Sequence, residues 1–184
     1  MSSENYVIRD QNAVHFITFT VINWIDVFTR AGYKNEIVES LSYCQKNKGL
    51  VLYAYCLMTN HLHLVCKVDE PFRLSDFVRD FKKYTAKKIL ERIWDEAESR
   101  RCWLLSAFRE AGKYDNRIKE FRFWQEGCHP ITLDSNVMIQ ERICYVHENP
   151  VKVGIVAKHE DYLYSSARNY ASLRGMVDIE VLSL

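Results

Sequence analysis

Two adjacent β-type runs constrain the fold of this chain most. Leu50–Met58 and His61–Val68 are dominated by apolar and β-branched residues, and Thr59-Asn60 between them is typical of a tight turn. Together they predict a β-hairpin. Because alternate residues of a strand point to the same face, the side chains of His61 and His63 would leave the sheet side by side.

The rest of the chain predicts helices and strands on both sides of this hairpin. The predicted elements are a strand at Ala13–Trp24, a helix from Tyr33 to a cap at Gly49, the two hairpin strands, a helix from about Ser75, a helix at Ser99–Ala111, a strand within Phe121–Leu133 with Phe121–Gln125 as its candidate, and a helix from Asp134 or Ser135 to Pro150. This order predicts an α+β fold: a ferredoxin-like split βαβ arrangement with an antiparallel sheet and added helices. The strand that carries the histidines would be central, and helices would cover one face of the sheet.

The composition is that of an ordinary globular protein. Of the 184 residues, 48% are hydrophobic and 27% are charged, which favours one folded domain over a disordered chain. We expect a single domain over residues 1–184, with a core at about 13–156 and a tail at 157–184 packed against it. The formal net charge of +1 excludes a uniformly basic nucleic-acid coat. Residues 73–122 nevertheless contain fourteen Lys and Arg against nine Asp and Glu.

Cysteine usage and hydropathy indicate a cytoplasmic protein. The six cysteines include no Cys-x-x-Cys pair, which argues against a zinc ribbon and favours reduced thiols. The first residues lack the basic start and apolar core of a signal peptide. The longest apolar run, Leu50–Met58, is too short to span a bilayer, so we expect no membrane partner.

His61 and His63 are candidates for a metal-binding pair. Imidazoles that point in the same direction can hold a divalent ion, although such an ion needs further oxygen ligands from protein or substrate. The alternative is that each is a hydrogen-bonded structural residue, which is the commoner role of a single histidine in a strand. Their i, i+2 spacing beside an asparagine-containing turn favours the metal site.

Tyr145 and Asn149 form the second candidate. They are four residues apart and therefore neighbours on one helix face, away from the apolar stripe of Ile139, Ile143 and Val146. A phenol and an amide oxygen on such a face would supply a nucleophile and a third metal ligand. The alternative is that the tyrosine is an amphipathic rim residue and the asparagine only ends the helix before proline.

Basic residues on the helix after Ser75 are candidates for DNA contacts. Cations interleaved with aromatic residues suit phosphate contacts beside base stacking, although the same pattern also describes a solvated helix face. The cations are Arg79, Lys82, Lys83, Lys87 and Lys88. Tyr84 is a rival nucleophile on this helix, but its neighbour one turn later is Lys88, which cannot ligate a metal while protonated. Arg168 in the tail is a further candidate for a phosphate contact.

Four motifs in order make the chain resemble a known family. They are Tyr55-Cys-Leu-Met-Thr-Asn-His-Leu-His-Leu-Val65, Phe123-Trp-Gln-Glu-Gly127, Tyr145-Val-His-Glu-Asn-Pro-Val-Lys-Val-Gly154 and Tyr164-Ser-Ser-Ala-Arg168. Together they resemble the REP-associated tyrosine transposases, which are single-tyrosine HUH transposases of the insertion-sequence type. The resemblance covers residues 13–170.

The resemblance implies a ferredoxin-like HUH nuclease domain that cuts single-stranded DNA beside hairpins with Mg²⁺ or Mn²⁺. Tyr145 matches the nucleophile, His61 and His63 match the metal-binding pair, and Asn149 matches the third ligand, where relatives often have glutamine. Attack on phosphorus would give a 5′-phosphotyrosine and a free 3′-hydroxyl, which permits strand transfer and DNA transposition without ATP. Glu148 is a candidate base for the phenol. The family often forms homodimers, so a second copy of the chain is an expected partner.

Two other functions stay open at the level of sequence. A domesticated relative would bind single-stranded DNA hairpins without cutting them, which the near-neutral charge and the short Asn149 side chain favour. A metal hydrolase for small phosphate esters would need an added carboxylate ligand near the two histidines, and the sequence does not place one.

Overall fold

The computed structural model describes residues 8–113 and 120–182, which contain four strands, five α-helices and two 3-10 helices at Ile22–Trp24 and His159–Asp161. In chain order the strands and α-helices are β1 (His15–Thr20), α1 (Ala31–Asn47), β2 (Leu50–Leu57), β3 (His61–Val68), α2 (Leu74–Asp95), α3 (Arg101–Gly112), β4 (Ile131–Thr132), α4 (Asn136–Lys152) and α5 (Ala167–Tyr170). The predicted first strand at Ala13–Trp24 is shorter than expected, because the chain turns after Val21.

The sheet has the strand order β2-β3-β1-β4, and its pairs are antiparallel. This order confirms the predicted α+β, ferredoxin-like arrangement, with the histidine strand β3 in a central position. Thr18 of β1 lies opposite His63, and Thr20 lies opposite His61. The pairing of β2 with β3 shifts register between Leu52 and Ala54, where an irregularity interrupts the ladder.

The two faces of the sheet are both covered, which corrects the expectation that helices would cover one face. On one face, Phe19 of β1 stacks on Phe81 of α2, with 5.3 Å between ring centroids. Thr18 and Thr20 point the other way because strand side chains alternate, and they share that opposite face with the histidines. Helix α4 lies there, since Tyr145 contacts both Phe16 and His63.

The strand predicted within Phe121–Leu133 lies at Ile131–Thr132, and its placement at Phe121–Gln125 was wrong. This segment makes one isolated bridge, between Trp124 and Val21, and the fourth strand is the two-residue β4. Both Phe123 and Trp124 are buried. The aromatic residues are therefore there because the segment packs against the core, and they do not indicate a strand. At Gly127 the backbone has φ +71° and turns the chain away.

Helix α4 begins where predicted and ends later than predicted. Ser135 is its N-cap, and its side chain accepts a hydrogen bond from the Met138 amide. The helix continues through Pro150 to Lys152, because a proline in the last turn removes only one intrahelical hydrogen bond. The Pro150 carbonyl still accepts from the amides of Ile155 and Val156, beyond the helix end.

The segment after α4 covers the outer edge of β2, which is the end strand of the sheet. The Tyr162 hydroxyl donates to the Leu57 carbonyl, and the Tyr170 hydroxyl donates to the Tyr53 carbonyl. The six cysteines are all free thiols. Within the two described ranges, no helix combines the length and the hydrophobicity needed to cross a membrane.

Candidate HUH nuclease site

Four aromatic rings form a continuous row on the α4 face of the sheet. The ring centroids of His61 and His63 are 4.6 Å apart, and the Tyr145 ring lies 5.5 Å from His63. At the other end of the row, Trp24 lies 5.6 Å from His61. A fifth ring, that of Phe16, stacks on the His63 ring with 5.4 Å between the centroids. The structure thus brings together within one chain three of the four residues predicted for the active site, namely His61, His63 and Tyr145.

His61 is oriented by the neighbouring asparagine. The Asn60 amide nitrogen donates to the Asp26 carboxylate at 2.9 Å and to the Trp24 carbonyl at 3.2 Å, which fixes the amide orientation. The Asn60 oxygen is then an acceptor, 2.7 Å from Nδ1 of His61. Nδ1 must carry the proton, and Nε2 is left with its lone pair free for a metal.

His63 is held by the strand beside it. Its Nδ1 lies 2.8 Å from the Thr18 hydroxyl, which is the register partner in β1. Burial, and secondarily the nearby His61, lower the pKa of His63 to about 3. Burial also lowers the pKa of His61, partly opposed by the Asp26 carboxylate. Both imidazoles are therefore neutral at neutral pH, which is the protonation state that a metal ligand needs.

Tyr145 is accessible and flanked by cations. Its side chain is 39% exposed, and the Lys152 ammonium lies 5.4 Å from its ring centroid. The Arg142 guanidinium lies 5.2 Å from the centroid of Phe16, which also contacts Tyr145. No role for these two cations was predicted from the sequence. Their spacing of three before and seven after the tyrosine was the available signal, because it puts all three on one helix face.

Asn149 and Glu148 contact groups other than the two imidazoles. The Asn149 amide nitrogen donates to the Tyr145 carbonyl at 2.8 Å, which leaves its oxygen as the atom able to bind a metal. The Glu148 carboxylate lies 3.4 Å from the His159 ring. In residues 8–113 and 120–182, no group of three or more His, Cys, Asp or Glu is placed to hold a metal ion. The two imidazoles are the donors that the structure brings together, a set that a divalent ion would complete with further oxygens. The Asn149 oxygen as a third ligand stays a prediction.

The basic helix α2 lies on the opposite face of the sheet from the histidines. Arg79 pairs with Asp76 and Asp80, and the ammonium groups of Lys87 and Lys88 both lie near Glu91. The exposed Tyr84 is on the same helix, so the structure does not bring this rival nucleophile to the imidazoles.

The remaining cations that the sequence singled out have mixed surroundings. The Lys82 ammonium donates to the carbonyls of Gln125 and Gly127, and burial lowers its pKa. Lys83 is exposed. The Arg168 guanidinium donates to the carbonyls of Arg174 and Glu160, so it braces the tail. DNA contacts by these residues stay a prediction.

Comparison with known proteins gives one family match and two similar solved structures. The family model described as IS200-like transposase matches residues 10–111, which include His61 and His63 and end before α4. Among solved structures, one similar chain is described as a REP-associated tyrosine transposase bound to a REP hairpin. It is 17% identical with a TM-score of 0.67, and the alignment covers 99% of this chain and 96% of that one. A transposase candidate from Deinococcus radiodurans R1 is 17% identical with a TM-score of 0.42, covering 80% and 96%. Among curated proteins, none matches.

These findings agree with the fold and with the motifs. The likeness in structure supports the HUH version of the ferredoxin-like fold, and the family model covers more than half of the chain. The predicted resemblance to the REP-associated tyrosine transposases is confirmed at the level of the family. The chain belongs to the family of IS200-like transposases.

Proposed function

We propose that this protein nicks single-stranded DNA and transfers the strand through Tyr145. The observation that carries the proposal is the 5.5 Å distance between the Tyr145 and His63 rings of one chain. A phenol beside two neutral imidazoles, on an accessible surface, is the constellation that a metal-assisted tyrosine nuclease requires.

The reaction is a pair of exchanges at phosphorus. The Tyr145 oxygen bonds to the scissile phosphorus, and the bond from phosphorus to the 3′-oxygen breaks. The phenol loses its proton and the leaving 3′-oxygen gains one, so a 5′-phosphotyrosine and a free 3′-hydroxyl result. A 3′-hydroxyl then attacks the phosphotyrosine and regenerates the phenol. The covalent link preserves the phosphodiester energy, so strand transfer needs no ATP.

The residues divide the work of this reaction. His61 and His63, with the Asn149 oxygen, would hold a divalent ion such as Mg²⁺ or Mn²⁺. When bound, such an ion polarises the scissile phosphate and stabilises charge on its oxygens. Arg142 and Lys152 add positive charge around the tyrosine, which attracts the phosphate and stabilises the phenolate. Glu148 is a weaker candidate for the base, since its carboxylate lies beside His159.

The proposed substrate is single-stranded DNA next to a hairpin. The structural relative described above was solved with a REP hairpin, and the cations beside Tyr145 suit a phosphate backbone. DNA contacts by Arg79, Lys82, Lys83, Lys87, Lys88 and Arg168 are part of the same proposal. We further propose that the protein acts in the cytoplasm as a homodimer, in which each tyrosine serves the histidines of its own subunit.

The test is a covalent adduct with a hairpin oligonucleotide that has single-stranded flanks and a label at its 3′ end, because the 5′-phosphotyrosine retains the part of the strand 3′ of the cut. The wild type should give a band of protein plus DNA on a denaturing gel when Mg²⁺ or Mn²⁺ is present, and none with EDTA. Tyr145→Phe should give no adduct. Tyr84→Phe, an equally conservative change at another exposed tyrosine, should give the wild-type amount. An adduct that survives Tyr145→Phe but not Tyr84→Phe would refute the assignment.

A second function, hairpin binding without cleavage, has one structural observation in its favour. No carboxylate joins the two imidazoles as a ligand in the described residues, which makes the metal site dependent on one amide. This alternative expects hairpin binding that persists with EDTA and after both histidines are replaced, and no adduct under any metal. Hairpin affinity that disappears with the metal would count against it.

A further inference from the structure

Trp24 forms the open end of the ring row described above. Its side chain is 58% exposed, although tryptophan is normally buried over most of its surface. Its ring meets His61 edge-on, with an interplanar angle of 74°, so one face of the indole stays available beside the site.

The backbone around Trp24 is held in an unfavourable conformation that displays the indole. Asn23 and Trp24 both have positive φ, +54° and +55°, which is costly for a bulky residue such as tryptophan. The Trp24 amide donates to the Val21 carbonyl, and the Trp24 carbonyl accepts from Asn60. Asn60 also orients His61, so one residue holds both the backbone of Trp24 and the imidazole. Strain of this kind is concentrated at functional sites.

The charges of the site determine what Trp24 can bind. Arg142 and Lys152 lie at the Tyr145 end of the row. At the Trp24 end, the exposed Asp26 carboxylate accepts a hydrogen bond from Asn60. At the same end, the Arg100 guanidinium donates to the Asp26 carbonyl but is paired with the Glu98 carboxylate. A phosphate is therefore favoured at the tyrosine end over the tryptophan end. An uncharged planar group suits an exposed indole, and single-stranded DNA offers a base next to every phosphate.

We propose that Trp24 stacks on the base of a nucleotide next to the scissile phosphate and so sets which phosphate meets Tyr145. This inference rests on the proposed function, because it takes single-stranded DNA as the ligand. Stacking on an aromatic side chain tolerates any base, so the contact fixes position along the strand rather than sequence. Trp24 is a positioning residue for the reaction.

Binding measurements test this in a background that cannot cut. All proteins carry Tyr145→Phe and are studied in EDTA, with a fluorescent hairpin that has single-stranded flanks. Trp24→Ala should weaken binding by about 5- to 150-fold, the usual effect of removing one stacking partner. Trp24→Phe should recover most of the affinity. Trp103→Ala is the matched control, because Trp103 is 56% exposed on α3, and it should bind like the parent.

An abasic scan separates stacking from a structural effect. One base at a time is removed from the flank, and the parent should lose affinity at one position beside the cut. In Trp24→Ala, that single penalty should vanish while the others remain. Unchanged affinity in Trp24→Ala, or an unchanged set of abasic penalties, would overturn the inference. A parent that binds no hairpin would overturn it together with the proposed function. If the expected binding pattern is found but the wild type forms no adduct, the stacking of Trp24 on a base is supported and the proposed cleavage by Tyr145 is refuted.

Discussion

His147 gives the sharpest test of how α4 is held on the sheet. It is buried two residues after Tyr145, and its Nε2 lies 2.8 Å from the Ser166 hydroxyl. The same hydroxyl accepts from the Tyr55 amide of β2 at 2.9 Å. Burial, with a smaller effect of the nearby His159, lowers the pKa of His147 to about 4. We predict that replacing it with glutamine makes the stability of the protein less sensitive to acid.

The sign and size follow from proton linkage. Above pH 6.5 the imidazole is neutral in both the folded and the unfolded chain, so it adds no pH dependence. Below that pH the imidazole is protonated in the unfolded chain but stays neutral in the folded chain. Because the proton stabilises only the unfolded chain, the free energy of unfolding falls as the pH falls to about 4. With an unfolded pKa of 6.5 and a folded pKa of about 4, the loss between pH 7 and pH 5 is about 2 kcal/mol.

Urea unfolding at pH 7 and pH 5 measures this difference. His147→Gln keeps a side-chain amide that can bond to Ser166, and it should lose about 2 kcal/mol less than the wild type over this interval. His61 and His63 contribute their own acid sensitivity to both proteins, so it cancels. Tyr145→Phe, which leaves every histidine unchanged, should lose as much as the wild type. Equal losses in the wild type and His147→Gln would refute the account of this buried histidine.

Three further predictions concern the site and the hairpin. Asn60→Ala should weaken Mn²⁺ binding by about 10- to 100-fold in calorimetric titration, because the acceptor that fixes the free nitrogen is lost; unchanged affinity would contradict the orienting role. Gly49→Ala should lower the free energy of unfolding by more than Gly154→Ala. Both have positive φ, but only at Gly49 would a Cβ meet side-chain and backbone atoms, at 2.7 Å and 3.0 Å. Loss of a phosphate contact should lower the salt slope of hairpin binding by about 1, and we expect this for Arg142→Gln and for Lys87→Gln; a normal slope in either would remove that residue from the DNA interface.

Local patterns were enough to predict the central part of this fold. The hairpin and the helix of Tyr145 are runs of residues whose periodicity and turn or cap residues agree, so pattern and tertiary structure point to the same answer. The placement of His61 and His63 on one face follows from strand geometry alone, and the coordinates bear it out. The short β4 could not be read in this way, because two residues, Ile131 and Thr132, carry no periodicity.

The support of the site depends on contacts that no local pattern contains. Asn60 binds groups 34 and 36 residues earlier in the chain, and Trp24 reaches His61 only because the chain turns after β1. Such pairs are set by the way β1 and the hairpin are placed side by side. The sequence identified Asn60 as a turn residue, but it did not show that Asn60 also orients His61 and holds the backbone of Trp24.

The position of Tyr145 is coupled to the segment after α4 through the geometry of one helical turn. Val146 is fully buried, and neighbouring residues of a helix point about 100° apart, so Tyr145 and His147 flank it on opposite sides. Tyr145 faces β1 and β3 through Phe16 and His63, while His147 faces β2 and the tail through Ser166. A rotation of α4 about its axis would have to move both side chains together. The hydrogen bonds at Ser166, 20 residues after Val146 in the chain, therefore oppose any rotation that would carry the phenol away from the imidazoles.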